Sequence, residues 1–284
     1  MKLFAVALSA LFVAYGQGKD DMETSYQNLQ KAVTDKDAAQ VKKLAAETSA
    51  AARAIIASPA PEAAAEKETW TTQVAFAKEV DAYTESALYT IAVAAKPEET
   101  VELFALLEQL NPKSKYLDDG YGYYVACLQR TGGSAKALTA ASKGLANFPS
   151  NEDLLTMLAE SALAGRRYDQ AITYGDRLVA AATKHNKPAV TGTGYYIAGV
   201  ARFFKNQYPP ADKSLRAALP YLSGDQKACA LLYLGVANFN LGKATMNKGL
   251  MMQGANYSEQ SAAMKSPCQA DASRQAPAMK VAAK

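Results

Sequence analysis

The sequence predicts an all-α protein built as a row of helix hairpins, and three observations carry that prediction. From Asp21 onward the chain is rich in Ala, Leu, Lys, Glu and Gln, and apolar residues return every three or four positions, the period of a helix with one buried face. The β-branched alternation that marks half-buried strands is nearly absent. Helix-breaking clusters recur at short intervals, among them Thr34 to Asp37, Ser58 to Pro61, Asn111 to Lys113, Thr131 to Ser134, Phe148 to Asn151 and Asn206 to Pro210.

The elements follow in chain order. Residues 1–16 read as a secretory signal peptide: Lys2 precedes the apolar run Leu3 to Val13, and Ala14 and Gly16 supply the small residues of a cleavage site, with Gly18 as the alternative. That run falls short of the roughly 20 apolar residues a membrane span needs. The mature chain is therefore expected to be soluble and exported, in the periplasm or outside the cell. Residues 17–60 hold an N-terminal hairpin turned at Asp35 to Asp37, and residues 61–265 hold the helical array, opening with Glu62 to Ala95 as one long helix or two in line. Pro97 ahead of Glu98 and Glu99 suits a helix start, since proline fits the first turn and carboxylates favour the positive end of the helix dipole. Ser150 or Asn151 before Glu152 and Asp153 caps another. Residues 266–284 read as a short capping helix that runs into a mobile tail of a dozen residues.

Hairpins of this length seldom bury their apolar faces alone, so a repeat is expected. In Tyr195 to Ala218, small residues fall at Gly199, Ala211 and Ala218. The same gaps recur at Leu88, Thr100, Leu107; Val125, Ala137, Gly144; Ala159, Ala171, Leu178; and Gly235, Asn247, Gly254. Gly132 and Gly242 stand where the mid-unit turn falls, and Tyr168 and Tyr208 stand three residues before the Ala that opens a second helix. These marks, over residues 84–264, resemble the tetratricopeptide repeat (TPR), whose period is about 34 residues. The resemblance implies a right-handed α-solenoid of about five TPR-like hairpins behind an N-terminal helical hairpin cap, here in an exported bacterial protein. Leu88 and Leu107 depart from the small residues of the pattern.

In this family the first helices of the pairs line a concave groove that receives peptides or folded partners. The positions that match it are Thr156 and Glu160, then Tyr196, Val200 and Phe203, then Leu232, Val236 and Phe239, so the groove turns aromatic and apolar toward its C-terminal end. The other reading of these aromatics is that they fill the core between units. The Lys and Asn pattern that grips a C-terminal carboxylate in chaperone-binding members is absent, which leaves a helix or an extended apolar segment as the guest.

Catalysis is not expected. His185 is the single histidine, so a His-based triad or zinc site has no second member, and it reads as a solvated turn residue. Thr191-Gly192-Thr193-Gly194 follows a polar loop rather than a strand and reads as a flexible helix start, not a phosphate loop. Asp118 with Asp119 and Glu152 with Asp153 suit capping better than acid–base work or calcium. No cofactor and no metal are expected. Three cysteines are too few for a disulfide-built fold. Export permits one bridge, with Cys229 and Cys268 the favoured pair, but buried or idle thiols are the preferred reading.

Net charge is +4, and it is divided unevenly: residues 19–120 carry 11 Lys and Arg against 18 Asp and Glu, whereas residues 121–284 carry 19 against 9. Such ends can steer an anionic partner or drive head-to-tail self-association. Nucleic acid is a poor fit without a basic patch interleaved with aromatics. The expected function is a cell-envelope scaffold for a protein or peptide partner. The alternatives are a glycan- or lipid-binding envelope protein and a structural subunit that self-associates through opposite charges.

Overall fold

A computed structural model describes residues 20–284, and the expected signal peptide lies outside them. The described residues form thirteen α-helices and no strand. They are α1 (20–34), α2 (Ala38–Ile56), α3 (Ala64–Ala92), α4 (Pro97–Leu110), α5 (Lys115–Gly132), α6 (Ser134–Asn147) and α7 (Glu152–Ala164), followed by α8 (Tyr168–Lys184), α9 (Pro188–Phe204), α10 (Tyr208–Ala218), α11 (Gly224–Thr245), α12 (Lys248–Ala262) and α13 (Gln269–Ala283). A single 3₁₀ turn, Leu219–Tyr221, follows α10. The chain is all-α, as its periodicity predicts. The described residues divide into two compact units, residues 20–140 and 141–284, with the boundary inside α6.

The capping chemistry forms as the sequence requires. Pro97 opens α4, and the Glu99 carboxylate accepts from the Lys96 amide at 3.2 Å. Asn151 caps α7 by accepting from the Leu154 amide at 3.0 Å. Five helix ends share one turn in which a single non-glycine residue takes a left-handed conformation: Lys36, Arg166, Asn186, Asn206 and Met246. In each, the next amide donates to the carbonyl five residues back, for example Arg167 to Ala162 at 2.8 Å and Asn247 to Gly242 at 2.8 Å. This is a Schellman ending whose last residue already serves as the N-cap of the following helix, so two helices are joined with no spare loop.

The repeat spacing lands on real hairpins. Of the fifteen positions it singles out, fourteen are buried, and four of the helix pairs that carry them are in contact: α3 with α4, α7 with α8, α9 with α10 and α11 with α12. The exception, Asn247, is exposed and caps α12, accepting from the Leu250 amide at 3.0 Å. Thr100 replaces a small residue at full burial because its hydroxyl donates to the Ala92 carbonyl at 2.7 Å.

In unit 1 the core is built from large side chains. Met22, Ala52, Ile55, Val74, Ala77 and Val80 cluster beneath Tyr26, Trp70 and Phe76. Further along, Phe104 stacks on Tyr124 with centroids 5.3 Å apart and lies over the bare Cα of Gly120. The buried Tyr121 hydroxyl donates to Glu108 at 2.8 Å.

In unit 2 the helices meet by backbone. A methyl group on Gly235 of α11 would stand 2.7 Å from the Gly254 carbonyl oxygen of α12. One on Gly194 of α9 would stand 2.9 Å from the Gly175 carbonyl oxygen of α8. Each helix packs on the next, and α9 also touches α7 and α11.

Four expectations are corrected. Thr191 to Gly194 is not a flexible helix start: it lies inside α9, where Gly192 receives Tyr221 and Gly194 receives Val179, so the glycines are packing notches. Gly242 is not at a turn but within α11, where it makes room for Met251, and the turn falls at Met246. The end of the chain is helical, because α13 runs to Ala283 and buries Ala272, Ala276, Met279 and Ala283. Cys229 and Cys268 are not idle thiols but a disulfide that ties α11 to the start of α13, while Cys127 is the free, buried cysteine.

Candidate functional site

Unit 2 contains an open cleft of about 430 Å³ at the ends of α7 and α9. The end of α7 supplies Leu163 and Ala164, the left-handed turn supplies Arg166, and α8 opens with Tyr168. Tyr196, Val200 and Phe204 of α9 form one side, and Tyr233 of α11 closes the lining. The α9 residues sit at i, i+4 and i+8, the ridge a 3.6-residue period keeps on one face.

The rings reinforce one another. Tyr168 stacks on Phe204 at 5.4 Å with their planes 12° apart, Phe204 meets Tyr233 edge-on at 5.5 Å, and Phe203 packs on Tyr233 at 4.9 Å. Phe204 nevertheless stays 44% exposed, an uncommon position for a phenylalanine with so many aromatic neighbours. Burial pushes the Tyr196 hydroxyl up to about 12, with help from Tyr233. Tyr233 is raised too, by burial first and then by Asp271 and Tyr168. Both are therefore neutral donors near pH 7.

Of the eight residues the resemblance assigns to a groove, the structure brings Tyr196 and Val200 together in this cleft, with Phe203 packed behind its wall. Leu232 and Val236 lie instead in a cluster with Cys229, Cys268 and Ala272, so the chain's own α13 covers them. Phe239 is half-buried, and its backbone meets Gly254 of α12. Thr156 is half-buried and Glu160 exposed, and neither lines the cleft. Crowding by protein atoms raises the Glu160 carboxyl above its ordinary range.

Sequence reasoning missed Leu163, Ala164, Arg166, Tyr168, Phe204 and Tyr233. The signal for Phe204 was present, since extending Tyr196 and Val200 by four residues reaches Phe204 rather than Phe203. Nothing local announces that the turn after α7 carries Arg166 and Tyr168 to the same place.

A second cluster surrounds the single histidine. His185 Nδ1 lies 2.6 Å from Glu152 Oε1, and Lys187 Nζ lies 3.4 Å from Glu152 Oε2. Burial alone would raise the Glu152 carboxyl, but the His185 hydrogen bond, its own backbone amide and Lys187 together hold it below the ordinary value. His185 is thus not simply a solvated turn residue, because it ties the start of α7 to the end of α8. Among the described residues no group of three His, Cys, Asp or Glu could hold a metal ion, and no helix is long and apolar enough to cross a membrane. The chain matches no protein-family model, and no curated protein is similar to it at a significant level.

Proposed function

We propose that the protein is an exported, TPR-like helical scaffold that binds a segment of a partner protein in the cell envelope, using the aromatic cleft of unit 2. The observation that carries this reading is Phe204, held 44% exposed in a frame of three neighbouring rings at the mouth of a preformed concavity. Aromatic residues set in rigid, partly exposed frames are what recognition surfaces use for affinity. The hairpin register and the contacts of α9 with α7 and α11 support the solenoid part of the reading. The disulfide supports the exported part, since such bonds persist in oxidising compartments.

Site-specific photocrosslinking in an envelope extract tests it. A benzophenone amino acid placed at Phe204 should give a discrete protein adduct that the same probe at Lys213 does not, and Tyr196→Ala in the Phe204-labelled protein should remove the adduct while helicity is kept. Matching adducts from both positions, or an adduct indifferent to Tyr196→Ala, would sink the reading.

A further inference from the structure

We propose that the guest of the cleft is an acidic apolar segment of the partner, in which a large aromatic or branched side chain seats against Tyr196, Val200 and Phe204 while an adjacent Asp or Glu is held by Arg166 and the tyrosine hydroxyls. The inference rests on the reading above and names the chemistry of its partner.

Two independent observations lead to it. First, every charged or hydroxyl-bearing group in the lining can donate, and no carboxylate is among them. The Arg166 guanidinium makes no hydrogen bond or ion pair with the described residues, and the hydroxyls of Tyr168, Tyr196 and Tyr233 make none either, although none of these atoms is sealed from solvent. Elsewhere in unit 2 the arginines are engaged: Arg202 with Asp176 at 2.6 Å, Arg216 with Asp212 at 2.9 Å, Arg177 with the Pro149 carbonyl at 2.9 Å. Uncommitted donors above an apolar wall match a ligand with acceptor oxygens beside an apolar body.

Second, the unit that holds the cleft is basic, and the carboxylates beside the cleft are paired. Residues 141–284 carry 17 Lys and Arg against 9 Asp and Glu. Beside the cleft, Asp169 is taken up by Lys205, and Asp271, whose charge reaches Tyr233, by Arg274 at 2.5 Å, while Arg167 bonds only to neutral groups, the Ser161 carbonyl at 3.2 Å and hydroxyl at 3.3 Å and the Gln170 amide oxygen at 3.0 Å. A field of this sign draws acidic segments and rejects basic ones.

Fluorescence anisotropy with labelled peptides tests the inference on the mature chain. Three peptides share one tryptophan and differ only in its flanking residues, which are Asp and Glu, Gln, or Lys. The acidic peptide should bind about tenfold more tightly than the lysine one at low salt, with the gap closing as salt is added. Arg166→Asn keeps a residue that accepts the left-handed turn and should weaken the acidic peptide about fivefold without changing the glutamine one. Tyr196→Phe, which removes only a hydroxyl, should weaken the acidic peptide alone, whereas Phe204→Ala should weaken all three. Equal binding of the three peptides, with Phe204→Ala still harmful, overturns the acidic guest and leaves the cleft reading standing. Binding indifferent to Phe204→Ala, or no binding at all, overturns both. Laurate displacing the acidic peptide at lower concentration assigns the site to a free lipid acid and overturns a protein guest.

Discussion

Units 1 and 2 are both runs of helices, yet they solve the packing problem in opposite ways. Unit 2 brings backbones together at glycine pairs such as Gly235 with Gly254 and Gly175 with Gly194, whereas unit 1 separates its helices with rings, Phe104 lying over Gly120 and against Tyr124. The difference explains where the repeat is easiest to read. A backbone contact tolerates no side chain, so it demands Gly or Ala at fixed gaps. A ring-filled interface tolerates substitutions of similar volume, so Leu88 can stand at a position that is Ala159, Gly199 or Gly235 in unit 2 and remain fully buried.

The largest expected effect tests whether closure by a disulfide belongs to unit 2 alone. The bridge spans 39 residues, and replacing both Cys229 and Cys268 by Ser should cost unit 2 about 3 kcal/mol. In a thermal scan a dithiol reductant should lower the same transition in the native protein and leave the double variant unchanged. An equal shift of the unit 1 transition would show that the two regions do not unfold separately, and the contrast between them would lose its thermodynamic meaning.

Next in size is Gly235→Ala. Alanine favours a helix by about 1 kcal/mol over glycine, but here its methyl meets the Gly254 carbonyl and the Ser258 amide, neither of which can give way cheaply. A net loss of about 1–3 kcal/mol is expected in denaturant unfolding. Gly249→Ala on the exposed surface of α12, where the methyl meets only the Asn247 side-chain oxygen at 3.3 Å, is the control and should cost less than Gly235→Ala. If Gly235→Ala behaves like Gly249→Ala, the backbone contact is not what joins α11 to α12.

The smallest effect is electrostatic. The folded pKa of Glu152 is depressed, so its contribution to stability is present above the ordinary carboxylate value and is lost as pH falls through the folded one. Glu152→Gln should therefore flatten the acid limb of a stability–pH curve by lowering stability near neutrality, where the ionised carboxylate otherwise contributes, and by leaving the acid end little changed. Glu160, on the same helix, is raised and acts with opposite sign: its ionised form costs stability, which returns as pH falls, and Glu160→Gln should remove that gain. Acid limbs identical to the native one in both variants would refute the assignment.

Much of the fold was legible because its determinants are local. The 3.6-residue period, the Pro97 start and the Asn151 cap all follow from chemistry within one or two turns. The candidate site was legible only through Tyr196 and Val200. Tyr168 was marked by the repeat but assigned no role, and Arg166 sits in a turn whose left-handed residue could have been any of several types.

The sequence by itself determined that the chain is helical and where most of its turns fall, since these depend on neighbours a few positions away. Only the tertiary structure decided that Cys229 meets Cys268, that α13 covers Leu232 and Val236, that His185 reaches Glu152, and that Arg166 shares a cleft with Phe204 and Tyr233. Those meetings join residues about 30 to 70 positions apart, and their geometry is set by how each hairpin stacks on the last, a property that no single period in the chain encodes.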